Sequence, residues 1–247
     1  MKFFEHFGQY LLMLRALFVR PEQMRMYWRE TLRQMDDIGV GSFLIIAVVS
    51  LFIGAVTAVQ TAYQIFGNSL VPGYYLGWIV RDTTILELAP TFSCLILAGK
   101  AGSNMSSELG NMRISEQIDA LEIMGISTEA YLVGPRILAS VIVIPMLVAI
   151  ASFLSIIGGY AATIASGYVT SGEFIQGLLT SFRGYNVQLM LIKAVVFAFL
   201  IASVSSYQGF YVKGGSIELG QASTRAVVYS CILILFSDYI IAVIALS

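Results

Sequence analysis

Five long apolar runs alternate with shorter segments that carry most of the charged residues. A helix that crosses the hydrocarbon of a membrane needs about 20 mostly apolar residues, so each run predicts one crossing. The predicted spans cover residues 41–63, 85–103, 131–165, 188–212 and 225–246. The third is too long for one straight crossing, so we expect it to tilt, to kink near Pro145 or to extend beyond the membrane. The pattern predicts an all-α, polytopic membrane protein with about five transmembrane helices.

Two shorter segments precede the first span and mix apolar with charged residues at helical spacing. The first covers residues 3–18 and is expected to break at Pro21, and the second covers residues 24–35. Soluble bundles use such helices as well, but beside a span they favour a position in the membrane interface. We therefore predict interfacial amphipathic helices over residues 1–38 and a transmembrane bundle over residues 39–247, together forming a single domain.

The composition supports a membrane protein and argues against several kinds of site. Hydrophobic residues make up 57% and charged residues 12% of the 247 residues, whereas soluble domains carry about 25% charged residues. The net charge of -1 gives no basic excess for a nucleic-acid partner. His6 is the only histidine, and Cys94 and Cys231 lie inside apolar runs. A zinc site, a catalytic triad or a disulfide is therefore not expected, and we predict no cofactor and no metal.

The positions of lysine and arginine predict the orientation in the membrane. Charged residues recur from Lys2 to Asp37, ahead of the first apolar run, so no cleavable signal peptide is expected. With a cytoplasmic N-terminus, eleven lysines and arginines fall in cytoplasmic segments, only Arg81 and Arg183 fall outside, and Lys193 lies within the fourth span. Positive residues favour the cytoplasmic side. The N-terminus is therefore predicted to be cytoplasmic, and five crossings place the C-terminus on the opposite side.

Small residues recur at every fourth position in three of the spans. They are Gly54, Ala58 and Ala62; Ala151, Ser155 and Gly159; and Ala198, Ala202 and Ser206. Such rows allow helix backbones to approach closely. We favour packing within one chain, and a dimer contact through the same faces is the alternative. Residues 167–186 are predicted to form a short external connection that holds one or two helical turns.

Two charges at the same predicted depth form the first candidate site. Ionisable residues inside a membrane are costly and tend to face a bundle interior or a cavity. Glu87 and Lys193 each lie about five residues inside the outer end of a span, which is roughly 8 Å at the rise of an α-helix. Such a pair lines a cavity entered by headgroups or water, or it only fixes the packing of two spans. Alternatively, Lys193 extends outward alone, and Asp238 in the fifth span is a further, deeper candidate.

A polar segment between the second and third spans forms the second candidate site. From Ser115 to Gly125, four polar residues (Glu116, Gln117, Asp119, Glu122) alternate with three apolar ones (Ile118, Leu121, Met124). We predict a short helix with Ser115 as its N-terminal cap and Gly125 as its C-terminal cap. A helix lying on the bilayer would more naturally be basic. An acidic face with one apolar stripe therefore favours docking into a groove on a soluble protein partner.

The chain offers no recognisable nucleotide site of its own. The run CLILAGKA at residues 94–101 ends like a phosphate-binding loop. However, Cys94 stands at the position of the first glycine, and Ala101 replaces the serine or threonine that would hold magnesium. If the protein performs work on a substrate, the energy must come from another subunit.

Several motifs together resemble the MlaE-type permeases of ABC transporters, which move phospholipids in association with MCE-domain proteins. The central motif comprises GKAGS, ELG, MR, EQ and EIM at residues 99–103, 108–110, 112–113, 116–117 and 122–124. The other matching positions are FIGAV with Gln60, ELAP at 87–90, IKAVVFA around Lys193, STRAVV around Arg225, and Asp238. The resemblance covers most of the chain from about residue 38 onward.

This resemblance implies the permease subunit of a phospholipid transporter in a bacterial inner membrane, serving outer membrane lipid asymmetry. A cavity at a homodimer interface would receive phospholipid, and its candidate residues are Glu87, Lys193, Asp238 and Gln60. A coupling helix would dock into a separate ABC ATPase through Glu116, Gln117, Asp119, Leu121, Glu122 and Met124. The cytoplasmic motif would include Lys100, Glu108, Arg113 and Arg225. An MCE-domain substrate-binding protein and, as a further candidate, a small STAS-type subunit are implied as partners.

One position departs from the family pattern. Arginine is common before the glutamate of ELAP, and here that position is Leu86. The charge balance at the mouth of the cavity would then depend more strongly on Lys193 as the partner of Glu87.

Two other functions stay open on the sequence alone. An importer permease for small solutes would also present a short cytoplasmic helix to an ATPase, but it predicts a more polar pathway than Glu87, Lys193 and Asp238 provide. An intramembrane enzyme acting on lipids would need nucleophiles, bases or metal ligands that converge at one depth. The phospholipid permease is the leading hypothesis.

Overall fold

The computed structural model describes residues 2–17, 24–66 and 72–246, and this part of the chain is helical without strands. Its α-helices are α1 (Lys2–Ala16), α2 (Met24–Phe66), α3 (Tyr74–Thr83), α4 (Ser93–Leu97), α5 (Ser103–Ile114), α6 (Gln117–Ile123), α7 (Gly134–Ser166), α8 (Ser171–Leu179), α9 (Gly184–Phe210) and α10 (Ser216–Leu246). Three π-helical segments join them: π1 (Thr84–Phe92), π2 (Ala98–Gly102) and π3 (Glu129–Val133).

Five helical runs within the described residues are long and apolar enough to cross a membrane. They are Met24–Ile65, Tyr74–Ile114, Glu129–Ser166, Gly184–Phe210 and Ser216–Ala245. The predicted all-α polytopic fold with five spans is therefore confirmed. Each run is longer than its predicted span, because the polar residues that flank the apolar stretches still favour helix.

The second run consists of alternating α-helical and π-helical turns. Pro90 lies inside π1, and its ring nitrogen has no hydrogen to donate to the backbone ladder. The wider π-helical turn accommodates this residue without ending the run. π-Helical turns are rare and often occur at functional sites, and here π1 carries Glu87 while π2 carries Lys100. In contrast, α7 continues as α-helix through Pro145.

The N-terminal segments differ in part from their prediction. α1 confirms the first amphipathic helix, but the second segment is not a separate helix: α2 continues from Met24 into the first span, because no proline interrupts it. Thr31 and Gln34 are buried, whereas Trp28 and Leu32 are exposed. The apolar stripe of this part of α2 faces outward, as expected of a helix that contacts lipid or another chain. The predicted break at Pro21 lies outside the described residues.

The chain packs into two compact units, and each span contributes to both. Unit 1 comprises Met1–Ser42, Leu95–Ile144 and Val195–Ile240. Unit 2 comprises Phe43–Cys94, Pro145–Ala194 and Ile241–Ser247. Unit 1 contains α1 and α6, which were predicted to be cytoplasmic, and unit 2 contains α8, which was predicted to be external. The assignment of one domain to the whole chain stays a prediction.

The core of unit 1 includes the N-terminal helix. Its buried residues are Met13, Leu109, Ile118, Leu132, Val133, Tyr207 and Phe210. Hydrogen bonds reinforce this packing: His6 Nδ1 lies 2.9 Å from the Tyr207 hydroxyl, and the Tyr10 hydroxyl donates to Ser203 Oγ at 2.8 Å. α1 is therefore an integral part of unit 1.

Close contacts between helix backbones define the packing of unit 2. A Cβ built on Gly54 would overlap the Ser155 carbonyl, and one built on Gly158 would overlap the Leu51 carbonyl. These contacts join α2 to α7. They show that two of the small-residue rows pack within one chain, as favoured from the sequence.

The predicted external connection contains α8, which supplies two and a half helical turns. Thr170 and Glu173 form a capping box at its start. The hydrogen bonds from Thr170 hold the pKa of the Glu173 carboxyl below its usual range. The buried Arg81 guanidinium donates from Nη1 to the carbonyl oxygens of Leu178 and Thr180 at 2.6 and 2.9 Å. These bonds attach the end of α8 to α3.

Candidate functional site

Glu87 and Lys193 form an ion pair inside unit 2. Lys193 Nζ lies 2.9 Å from Glu87 Oε1 and donates a second hydrogen bond to the Leu86 carbonyl at 3.0 Å. The Lys193 side chain is fully buried, whereas 42% of the Glu87 side chain is exposed. The Lys193 ammonium group, in the interior of the helix bundle, therefore holds the Glu87 carboxylate at the bundle surface. The alternative that Lys193 extends outward alone is wrong, because its ammonium group is buried against π1.

The π-helical turn explains how both atoms reach the same ammonium group. Glu87 and Leu86 lie within π1, and Lys193 reaches both from α9. The position that departs from the family pattern, Leu86, thus contributes its backbone oxygen to the cation. This contact does not require any particular side chain at position 86.

The other two predicted cavity residues belong to different parts of the chain. Gln60 lines a groove of about 500 Å³ in unit 2, together with Val56, Val59, Tyr63 and Tyr168. This groove is almost entirely apolar, and neither Glu87 nor Lys193 is among its lining residues. Asp238 belongs to unit 1. The grouping of all four residues around one cavity stays a prediction.

The predicted cytoplasmic helix exists as α6, but only one of its caps is as expected. Gly125 adopts a left-handed conformation with φ +82°, its N–H donates to the Glu122 carbonyl at 3.0 Å, and the Ile126 N–H donates to Leu121 at 3.1 Å. This arrangement is a Schellman motif, so the C-terminal cap is confirmed. The N-terminal cap is wrong: Ser115 Oγ donates backward to Asn111 O at 2.8 Å and closes α5.

The left-handed residue Glu116 occupies the N-terminal cap position of α6, without a side-chain capping bond. Because α5 and α6 are separated by only two residues, Ser115 is already engaged at the end of α5 before α6 begins. A non-glycine residue with φ of 58° is uncommon. The backbone therefore turns sharply between α5 and α6.

Two acidic residues of α6 are held by one arginine of α5. Arg113 Nη1 lies 2.7 Å from Asp119 Oδ1 and 3.4 Å from Glu122 Oε1. The Arg113 guanidinium also lies 5.9 Å from the centre of the Phe210 ring. Asp119 and Glu122 therefore fix α6 onto its own chain in addition to carrying negative charge.

The apolar residues of α6 face two directions. Ile118 is buried in the core of unit 1, and Leu121 packs partly against it. In contrast, Ile123 is 88% and Met124 is 65% exposed. The predicted single stripe of Ile118, Leu121 and Met124 is therefore wrong. The first two residues attach α6 to the protein, and the exposed surface of α6 consists of Ile123, Met124 and the flanking acidic residues.

The remaining motif residues have structural contacts within unit 1. Arg136 Nη2 lies 2.8 Å from Glu108 Oε2, and the Arg136 side chain is only 1% exposed. Gln34 Nε2 donates to Glu108 Oε2 at 3.5 Å, so Glu108 links α2, α5 and α7. Lys100 Nζ donates to the Gly41 carbonyl of α2. Arg225 is exposed, and its Nε donates to the Gln221 carbonyl of its own helix at 3.3 Å.

Two residues of unit 1 were not identified from the sequence. Arg136 follows a proline at the start of a long apolar run, where a basic residue normally extends to the membrane surface, so nothing in the sequence signals its burial. A weak signal in the sequence pointed to the exposure of Ile123. Ile123 and Met124 are consecutive, directly before Gly125, and two consecutive helix positions do not share a face, so both could not be buried on one stripe.

The chain matches a known family over most of its length. The family model described as Permease MlaE matches residues 31–244. This range includes all five membrane-capable runs apart from their outermost residues, together with α6 and the Glu87–Lys193 pair.

Individual relatives come from bacteria and from a plant. A probable ABC transporter permease protein of Rickettsia prowazekii is 36% identical over 216 residues, which cover 87% of this chain and 83% of that protein. The intermembrane phospholipid transport system permease protein MlaE of Haemophilus influenzae is 31% identical over 243 residues, covering 98% and 92%. The chloroplastic protein TRIGALACTOSYLDIACYLGLYCEROL 1 of Arabidopsis thaliana is 26% identical over 218 residues, covering 88% and 62%.

Proposed function

The chain belongs to the MlaE permease family, and on this basis we propose that it is the permease subunit of an ABC transporter that moves phospholipids between membranes. The observation that carries the proposal is the Glu87–Lys193 pair, in which a buried cation holds a partly exposed carboxylate on an apolar helix bundle. A lipid needs apolar surroundings for its tails and a few polar groups for its headgroup. The bundle provides both.

The transport path is proposed to lie at a homodimer interface. Much of the apolar surface of α2 and α10 is exposed in the single chain, including Leu44, Phe52, Ile232 and Phe236. A second copy, lipid tails or both would cover these residues in a membrane. The apolar groove that contains Gln60 would accept acyl chains, and Glu87 would contact the headgroup.

α6 is proposed to be the site at which a separate ABC ATPase acts on the permease. Its outer surface combines exposed apolar residues with acidic ones, and Arg113 ties it to α5. A movement imposed on α6 would therefore pass to α5 and, through Glu108 and Arg136, to α2 and α7. An MCE-domain protein and a small STAS-type subunit complete the proposed set of partners.

The proposed location is the bacterial inner membrane. The distribution of lysine and arginine supports a cytoplasmic N-terminus, which places α6 on the side where ATP is available. The C-terminus and α8 would then face the periplasm, where an MCE-domain protein could bind.

The alternatives have less support. A small-solute importer would need a polar pathway, but the groove around Gln60 is apolar. An intramembrane enzyme would need converging catalytic groups, and the Glu87 carboxylate is neutralised by Lys193. Phospholipid transport fits both observations better.

Purification of the full chain from its native membrane tests the proposal directly. We expect a complex that contains two copies of the chain, a nucleotide-hydrolysing subunit and an MCE-domain protein, together with bound phospholipid. Mass spectrometry of the intact complex and of its extracted lipids measures these components. A monomeric chain without an ATPase and without lipid would contradict the proposal.

Substitution of Ile123 by aspartate is expected to separate ATPase docking from folding. Ile123 is exposed and makes up part of the outer surface of α6, so Ile123→Asp should weaken binding of the ATPase by thirtyfold or more, the effect of losing about 2 kcal/mol at an interface hot spot. Binding is measured by titrating the ATPase onto the purified permease, and the thermal midpoint is measured in parallel.

Ile217→Asp provides the matched control, because Ile217 is also exposed in unit 1 but lies at the start of α10. It should leave ATPase binding unchanged. Asp119→Lys is expected to abolish association too, but it would place a lysine against Arg113 and disturb α6 itself. Equal ATPase affinity for wild type and Ile123→Asp would contradict the docking role.

A further inference from the structure

A polar crevice in unit 1 has no role in the function proposed above. It has a volume of about 620 Å³ and lies among α2, π2, α5 and α10. Six of the polar residues that line it are Asp37, Ser42, Lys100, Asn104, Ser107 and Ser223. It contains a cation, a carboxylate and several hydroxyl and amide groups, in a protein whose other described groove is apolar.

The crevice lies where three predicted spans meet the aqueous phase. The apolar runs begin or end at about residues 41, 103 and 225. Asp37 and Ser42 flank the first boundary, Lys100 and Ser107 flank the second, and Ser223 precedes the third. Because these boundaries coincide with the edge of the hydrocarbon, the crevice lies at the depth of lipid headgroups.

Two polar side chains of α5 are exposed on the crevice. They are Asn104 and Ser107, which lie about one helical turn apart. Their amide and hydroxyl groups can therefore meet a ligand that enters the crevice. In contrast, Ser42 Oγ is buried beneath the crevice surface, and Ser103 Oγ already donates to backbone carbonyls within π2.

The Lys100 ammonium group supplies the positive charge. It donates to the Gly41 carbonyl, and an ammonium group has three hydrogens to donate, so it retains capacity for a ligand. An ammonium group that shares a crevice with exposed amide and hydroxyl groups suits a phosphate group. The Asp37 carboxylate on the same crevice suits a positively charged group attached to that phosphate.

We propose that this crevice binds the headgroup of a zwitterionic phospholipid, with Lys100 and Asn104 contacting the phosphate and Asp37 contacting the ammonium group. The site belongs to unit 1, whereas the Glu87–Lys193 pair belongs to unit 2. The inference rests on the proposed membrane placement of the spans, but not on coupling to an ATPase. The proposal gives the GKAGS motif a contact with lipid, on the side of the membrane where the N-terminus is predicted to lie.

A photocrosslinking reagent inside the crevice tests this assignment. Benzoylphenylalanine replaces Ser107, which is exposed on the crevice, in the full chain purified in maltoside detergent. Dihexanoyl phosphatidylethanolamine is titrated as the probe, and mass spectrometry quantifies the adduct at position 107. We expect saturable labelling. Dihexanoyl phosphatidylglycerol, which lacks the ammonium group, should need about threefold more lipid for half-saturation, and dihexanoylglycerol should give no adduct.

Matched variants identify the contacting groups. Lys100→Ala and Asn104→Ala should each raise the half-saturating concentration about tenfold. Lys213→Ala removes the same charge from an exposed position outside the crevice, and Asn111→Ala removes an exposed amide of α5 that does not line the crevice. Both controls should label like the parent protein. Thermal midpoints show whether each variant is folded, and Lys100→Gln provides a second test if Lys100→Ala unfolds.

Three results would overturn the proposal. The first is equal labelling of the Lys100 variants and the Lys213 control. The second is equal labelling by the two phospholipids, which would exclude recognition of the ammonium group. The third is that soluble glycerophosphoethanolamine competes for labelling as strongly as the lipid does. This result would indicate that the ligand of the crevice is a soluble phosphodiester. Labelling at position 107 is independent of transport, so these failures would leave the proposed function intact. Failure of the proposed function would instead appear as the absence of bound phospholipid from the native complex.

Discussion

Neutralising both members of the Glu87–Lys193 pair is expected to abolish phospholipid transport while leaving the protein folded. Glu87→Gln alone leaves a fully buried ammonium group without its carboxylate, which should cost on the order of 3–5 kcal/mol. Lys193→Met alone should cost less, because the Glu87 side chain is partly exposed. Glu87→Gln combined with Lys193→Met removes both charges and should recover most of the lost stability. Transport should fall tenfold or more in all three variants, the effect of losing one charged hydrogen bond to a headgroup.

The measurements separate a functional from a structural role. Thermal unfolding in detergent reports stability, and transfer of a fluorescent phospholipid from proteoliposomes that contain the reconstituted transporter reports activity. Arg33→Met is the control, because Arg33 is well exposed and its contact with Glu30 is 4.0 Å long. Exposed ion pairs contribute about 0–1 kcal/mol. A double variant that transports at the wild-type rate would show that the pair only fixes helix packing.

Gly158→Ala is expected to produce a large loss of stability although it adds only one methyl group. The new Cβ would overlap the Leu51 carbonyl of α2, and backbone cannot move aside as a flexible side chain can. Overpacking typically costs up to about 3 kcal/mol, which corresponds to a decrease of roughly 6–12 °C in the thermal midpoint of a chain of this size. The yield of monodisperse protein after gel filtration should fall in parallel.

Gly41→Ala is the matched control, because Gly41 lies on α2 and a Cβ at that position meets no atom within 4 Å. It should leave the midpoint unchanged or raise it slightly, since alanine favours helix over glycine. Gly54→Ala should behave like Gly158→Ala, because its Cβ would overlap the Ser155 carbonyl. Midpoints for Gly158→Ala and Gly41→Ala within about 2 °C of each other would contradict a direct backbone contact between α2 and α7.

Local patterns predicted much of the fold. Apolar runs long enough to span a bilayer identified the five spans, and the rows of small residues identified helix faces that approach closely. Gly125 was correctly assigned as a helix cap, because a left-handed turn after a helix is most readily adopted by glycine. Each of these features depends on residues that are neighbours in sequence. The ion pair of Glu87 and Lys193 was also anticipated, because helix geometry converts sequence distance into depth.

The rotation of each helix about its own axis could not be predicted. It decides that Ile118 enters the core while Ile123 stays exposed, and that Thr31 is buried while Leu32 is not. The alternation of apolar and polar residues does not reveal which face of a helix is buried here, because a membrane protein has apolar surroundings on the outside as well as on the inside. Apolar residues therefore do not mark the core in the way they do in water.

The sequence by itself determined the number of spans, their approximate limits, their predicted orientation and the presence of a short acidic helix between two of them. The tertiary structure alone decided which distant residues meet: Arg136 with Glu108, Lys193 with the Leu86 backbone, and Lys100 with the Gly41 backbone. The physical reason is that helix formation follows from interactions over three or four residues. Contacts between spans instead depend on the axial rotation and mutual approach of helices that are far apart in sequence.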